Sequence, residues 1–107
     1  MREPTFLILT ALAGGRHHGY SLLTETRKLS GGRVSLRPGS LYTTLDRLQE
    51  EGLVKDAGEE VVAGRLRRYY ALTDHGAQAL EEEAGRLETN ARTARVSLQA
   101  RMSGGIA

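Results

Sequence analysis

The sequence predicts a mostly α-helical chain with a small β-hairpin past its midpoint. Three observations carry that expectation. Leu41, Leu45 and Leu48 form one stripe of a 3.6-residue period. Leu53–Asp56 and Leu66–Leu72 read as short strands on either side of a turn-rich, charged segment. From Ala77 to Leu98, small residues and leucines recur with heptad spacing.

The elements follow in order. Pro4 suits the first turn of a helix, because its fixed φ is already helical. The run Phe6–Ala13 is apolar on most sides, so this first helix belongs in the core, and Gly14-Gly15 ends it. The run also has the outline of a secretory signal, with an Ala-x-Ala end at Ala11–Ala13. It is short for one, and Glu3 and Pro4 interrupt its charged flank, so the buried helix is the better reading. No run approaches the roughly 18 apolar residues of a membrane span.

A second helix is expected over Tyr20–Leu29, with Leu22, Leu23 and Thr26 inward, and Ser30-Gly31-Gly32 breaks it. Val34-Ser35-Leu36 reads as a short extended stretch leading to Arg37-Pro38-Gly39. The third helix then runs to Glu51, with Gly52 as its stop. Ala57–Arg65 is expected to form a loose hairpin tip that includes Glu59 and Glu60. Thr73 is a good N-cap for a long last helix, and Asp74 matches its dipole. Along that helix Ala77, Leu80, Ala84, Leu87, Ala91, Ala94 and Leu98 are spaced 3, 4, 3, 4, 3 and 4, a regularity that argues for a partner helix. Residues 103–107 read as a flexible tail.

At 107 residues, the chain is expected to be one compact domain, with residues 1–73 ahead of a 74–102 helix. Hydrophobic residues are 39% and aromatics 5%, so the core must rest on Leu, Ala and Val. The net charge of +2 is compatible with a nucleic-acid partner without establishing one. With no cysteine, disulfides, thiol chemistry and Cys-based zinc sites are excluded, which fits a cytoplasmic location. His17, His18 and His75 are too few and scattered for a metal site. Tyr20, Tyr69 and Tyr70 have no base or nucleophile beside them and read as packing residues. Glu81-Glu82-Glu83 reads as an exposed turn. No catalytic set, cofactor or metal is expected.

Three helices, a hairpin and a long helix make up a winged helix-turn-helix region followed by a dimerisation helix. With the leucine stripe inward, Ser40, Thr43, Asp46 and Arg47 point away from the core, and Tyr42 and Thr44 lie on the flanks. Short hydroxyls and a guanidinium suit phosphates and base edges. A solvated face with Arg47 bonded to Asp46, Glu50 or Glu51 fits the same spacing. Arg65, Arg67 and Arg68 cluster on the hairpin, with Arg65 and Arg67 sharing a face by alternation. They can track phosphates or enter a narrow minor groove, and they can equally protect a sheet edge. Glu59 and Glu60, at the expected tip, point to the base of the wing as the part that meets a backbone.

Three blocks carry a family resemblance: His18-Gly19-Tyr20, the run from Pro38 to Val54, and the run from Gly64 to Gly76. Together, in this order, they resemble the PadR family of bacterial transcriptional regulators over roughly residues 4 to 85. The resemblance implies a homodimeric winged helix that binds palindromic double-stranded DNA operators, usually as a repressor, with release by a small-molecule effector. It places DNA contacts at Ser40, Tyr42, Thr43, Thr44, Arg47, Arg65 and Arg67. Many members carry Ser as the cap before Pro-Gly; here Arg37 stands there, a poorer cap and a phosphate ligand. The single last helix is shorter than the helical domain of some members. Some relatives stack flat ligands between tryptophans, which this chain lacks. The dimer interface is expected at Phe6, Leu9, Leu80, Ala84, Leu87, Ala91, Ala94 and Leu98. The rival class is a winged-helix protein-interaction module; an enzyme is the weakest reading.

Overall fold

Leu41, Leu45 and Leu48 are all buried, and the chain folds around them. A computed structural model describes residues 1–104. Its elements are α1 (Glu3–Ala13), β1 (His17–His18), α2 (Gly19–Leu29), α3 (Pro38–Glu50), β2 (Val54–Val62), β3 (Arg65–Leu72) and α4 (Asp74–Met102). The leucines of α3 pack against Ile8, Leu9 and Leu12 of α1, Leu22 of α2, and Val54 and Tyr70 of the sheet. α1 is therefore the central helix its composition predicts. This is the winged helix-turn-helix arrangement with a long terminal helix.

The helix starts are set by side-chain caps at α2 and α4 and by a proline in the first turn at α1 and α3. At α2 the His18 imidazole accepts from the Ser21 N–H at 3.4 Å, while the Ser21 hydroxyl accepts from the His18 N–H at 3.1 Å. This reciprocal box satisfies two otherwise free donors. Arg37 makes no side-chain cap at α3, which begins directly on Pro38. Gly52, at φ +76°, ends α3, and the Leu53 N–H returns to the Leu48 carbonyl at 2.9 Å. Val34–Leu36 forms no strand; its Val34 N–H donates to the Ser30 hydroxyl, and Leu36 packs on the core.

The sheet departs from expectation in two ways. β1 is a strand that composition did not announce, pairing antiparallel with β3 through His17↔Tyr70 and His18↔Tyr69, so the order is β1-β3-β2. The hairpin is also longer and tighter than a loose tip over Ala57–Arg65. β2 runs on to Val62 across a bulge between Asp56 and Glu59, where Gly58 takes φ +105°. The turn is only Ala63-Gly64, both at positive φ (52° and 76°), as a two-residue hairpin of matching twist requires. Glu59 and Glu60 therefore lie within the ladder, opposite Arg68 and Arg67, and not at the tip.

The last helix is locked to the end of α3. Thr73 accepts from the Gly76 N–H at 2.9 Å while its hydroxyl donates to the Gly52 carbonyl at 2.6 Å. Glu83, expected on an exposed turn, is buried: Arg86 one turn on bonds its carboxylate, and the Met1 nitrogen lies 3.8 Å away. The Arg86 bond holds its carboxyl below the usual range. α4 extends past the body, giving overall extents of 66 × 27 × 21 Å. The tail expectation falls at residues 105–107 outside the described part; Ser103 and Gly104 form a turn after α4.

Gly76 is where α4 meets the sheet, and an added Cβ would overlap the Leu53 carbonyl oxygen and press on Leu72. The carbonyl is backbone and cannot move aside, whereas the Leu72 methyl is the end of a side chain. Gly76→Ala should therefore lower unfolding stability by about 1–3 kcal/mol, although alanine is the better helix former. Urea denaturation followed by circular dichroism measures it.

Candidate nucleic-acid interface

With its leucine stripe buried, α3 presents its polar residues in three directions. Thr43 stands on the outward face, exposed. Ser40, Thr44 and Arg47 lie on the flank beside α1; there they line, with Arg2, Pro4 and Leu36, a cleft of 890 Å³. Tyr42 lies on the other flank, facing α2 and the hairpin. The expected site residues on the helix are thus divided among the outward face and the two flanks of α3.

Arg47 is engaged within the chain. Its Nη1 donates to the Glu51 carboxylate at 3.0 Å and its Nη2 to the Thr5 hydroxyl of α1 at 2.9 Å. The Thr44 hydroxyl donates to the Ser40 carbonyl at 2.9 Å. Arg37 is exposed at the start of α3. The Gly39 and Ser40 N–H groups beside it have no intrahelical acceptor, so the positive end of the helix dipole is open to an anion.

On the other flank, Tyr42, His18, Gly19 and Tyr20 face Arg65, Leu66, Arg67 and Arg68 across a groove of 450 Å³. The strand register assigns the faces of the hairpin. Tyr70 is buried, so Arg68 and Leu66 share the core-facing side while Arg65, Arg67 and Tyr69 share the other. Burial pushes the Tyr70 hydroxyl up, opposed by the nearby Arg68 charge. Arg68, which clusters with Arg65 and Arg67 in the sequence, is placed on the opposite face from them by alternation counted from Tyr70. Its Nε lies 3.9 Å from Glu59. Arg65 and Arg67 make no ion pair within 4.0 Å among the described residues.

The far face of the sheet is held by stacking. Arg16 lies over the Tyr69 ring, 4.2 Å from its centroid, and donates to the Ala57 carbonyl. His18 packs edge-on against Tyr69, and its imidazole is held below its ordinary pKa by burial and then by the charge of Arg67. Tyr20, expected to pack, is largely exposed, because it lies in the first turn of α2 on the solvent side.

The expected dimer residues also divide. Phe6, Leu80 and Ala84 line an apolar groove of 410 Å³ between α1 and α4, with Thr10, Leu72 and Ala77. Leu87, Ala91, Ala94 and Leu98 are exposed along the projecting half of α4. Leu9, expected at the dimer interface, is instead fully buried in the chain's own core and offers no surface to a partner. Among the described residues, no three His, Asp or Glu side chains gather as a metal site needs, and no helix is long and apolar enough to cross a membrane.

Residues 8–82 match the model of the Transcriptional regulator PadR-like family. The chain is 44% identical over 85 residues to the transcriptional regulator Rv3488 of Mycobacterium tuberculosis, covering 79% of this chain and 76% of that one. It is 38% identical over 86 residues to the transcriptional regulator YqjI of Escherichia coli, covering 80% of this chain but only 40% of the relative's length. Among solved structures, it resembles a PadR-like transcriptional regulator from Bacillus cereus (31% identity, 89% and 90% coverage, TM-score 0.71). It also resembles Bacillus subtilis PadR in complex with operator DNA (25% identity, 78% and 48% coverage, TM-score 0.69).

Gly19 fixes where Tyr42 sits, since a Cβ there would overlap the Tyr42 hydroxyl. The obstacle is the end of a movable side chain, so the tyrosine gives way and the fold does not. Gly19→Ala should leave the thermal midpoint close to that of the parent chain, since at the first position of α2 alanine gains only part of the roughly 1 kcal/mol it holds over glycine in a helix interior. The Tyr42 ring resonances should nevertheless shift in NMR spectra. An unmoved Tyr42 would contradict this contact.

Proposed function

Since the chain belongs to the PadR-like family of transcriptional regulators, we propose that it binds a palindromic double-stranded DNA operator, sequence-specifically and as a homodimer. On this reading it is a repressor, released by a small-molecule effector. The observation that carries the reading is the arrangement around Tyr42. An exposed helix face with Ser40 and Thr43 lies to one side, and a hairpin with Arg65, Arg67 and Arg68 lies to the other. A helix of this width enters a major groove, and an arginine-bearing hairpin beside it reaches the adjoining backbone. The operator complex of Bacillus subtilis PadR supports the same partner for this chain.

Within the reading, Thr43 and Ser40 approach bases, and the start of α3 with Arg37 holds a phosphate. Arg47 stabilises the seating of α3 on α1 and contacts DNA only after leaving Glu51. Tyr42 and Thr44 serve at the flanks. The homodimer forms along Leu80, Ala84, Leu87, Ala91, Ala94 and Leu98 with Phe6, and sets the two α3 helices about 34–36 Å apart for successive major grooves. The 410 Å³ groove between α1 and α4 has a size and apolar lining suited to a small effector.

Replacing Arg65 and Arg67 together by Ala should weaken binding to operator and random duplex alike. The slope of log K against log salt should flatten by about one unit per lost phosphate contact. Fluorescence titration at several salt concentrations measures both. An unchanged slope would return these arginines to edge protection, and binding that ignores salt would favour a protein partner.

The dimer has its own test. Leu87→Asp puts an unpaired charge on the seam, a cost of several kcal/mol in a closed dimer. The residue is 47% exposed within the subunit, so the fold should survive while the dimer and specific operator affinity are lost. Light scattering that still finds a stable dimer would remove this seam.

A further inference from the structure

The hairpin carries an apolar pair that the chain itself leaves uncovered. Val61 and Leu66 are direct cross-strand partners, one step from the turn residues' neighbours Val62 and Arg65. Val61 is 71% exposed and Leu66 61%. Both lie on the face of the hairpin that continues from Tyr70 and Arg68, the face turned toward α3. Leu66 lines the groove opposite Tyr42. From Val61 to Arg68 there are three arginines and no carboxylate.

Cross-strand packing alone accounts poorly for this pair, since at an exposed site β-branched polar residues hold a ladder as well. A protein partner fits no better. Two side chains supply far less than the roughly 800 Å² per partner that a stable protein interface buries, and arginines crowd their rim. The edge of a nucleic-acid groove matches both features: phosphates lie outermost, and the apolar faces of the sugars lie just inside them. Architectural proteins also place apolar side chains beside basic ones in the minor groove, there wedging them between base steps.

We propose that Val61 and Leu66 form an apolar wedge that seats against the sugar edges of the minor groove, while Arg65, Arg67 and Arg68 hold the flanking phosphates. This rests on the DNA-binding reading above and adds to it a non-ionic contact on the wing. The wedge sits near the apex, so the apex and not only the base of the hairpin meets DNA.

The test is the double variant Val61→Thr, Leu66→Thr, which keeps strand-forming side chains and removes most of the apolar surface. Unchanged amide dispersion in NMR spectra confirms an intact hairpin. Affinity for operator should fall roughly tenfold, as expected for the lost apolar contact, with the salt slope unaltered because no counterion release is lost. An uncharged polyamide that blocks the minor groove should weaken the parent protein and add little to the variant's loss. Unchanged affinity in the variant, or a change only in its self-association, would overturn the wedge while leaving DNA binding intact through the arginine slope. Failure of the parent protein to bind any duplex at low salt would overturn the wedge and the DNA-binding reading together.

Discussion

Every polar group on the outer surface of α3 takes its direction from the burial of Leu41, Leu45 and Leu48. Three side chains one turn apart leave the helix no rotational freedom, because each sits in a core already filled by Ile8, Leu9, Leu22 and Tyr70. A rotation that exposed even one leucine would forfeit on the order of 2 kcal/mol of burial. The orientations of Thr43, Ser40, Tyr42 and Arg47 are consequences of that lock and need no contact of their own. The hairpin depends on the same core, since Val54 and Tyr70 anchor the inner ends of its two strands.

α1 serves two neighbours at once. Its Thr5 hydroxyl holds Arg47 of α3, while Phe6 and Thr10 face the apolar groove against α4. The second attachment of α4 runs through Thr73, Gly76 and the end of α3. α3 and α4 are therefore braced twice, once directly and once through α1, so the base of the long helix is tied to the position of α3. The exposed length of α4 beyond Ala84 is an arm extending from that base.

Much of this was legible in the sequence because it depends on local period and punctuation. The stripe of α3, the Thr73 cap, the Gly52 stop and the shared face of Arg65 and Arg67 are all decided by residues within a few positions of one another. What was not legible depends on remote partners. β1 exists because His17 and His18 meet Tyr70 and Tyr69 far along the chain, and a two-residue strand has no period to detect. Arg47 read equally as a DNA ligand and as a surface ion pair; Glu51 could be weighed from spacing, but Thr5 could not. Glu83 looked solvated as one of three consecutive glutamates. The hairpin tip was drawn too wide because Ala63 adopts a left-handed conformation that its side chain disfavours, and so gave no signal to narrow Ala57–Arg65 to Ala63-Gly64.

The positions of Glu59 and Glu60 in the ladder give the wing an internal competition for anions. Each stands directly across from an arginine, Glu59 from Arg68 and Glu60 from Arg67. At Arg68 an anion arriving from outside must displace the Glu59 carboxylate, 3.9 Å from its Nε, before it gains the full guanidinium, whereas Glu60 accepts from the Tyr69 hydroxyl. Exposed pairs of this kind are worth no more than about 1 kcal/mol, so the displacement is shallow. It discounts a solitary, passing anion and matters little where several converge. Arg65 faces Val62 instead, and has no such rival. Arg67 stands across from Glu60 but makes no ion pair with it among the described residues, so Arg65 and Arg67 are the wing cations an approaching anion meets with least opposition.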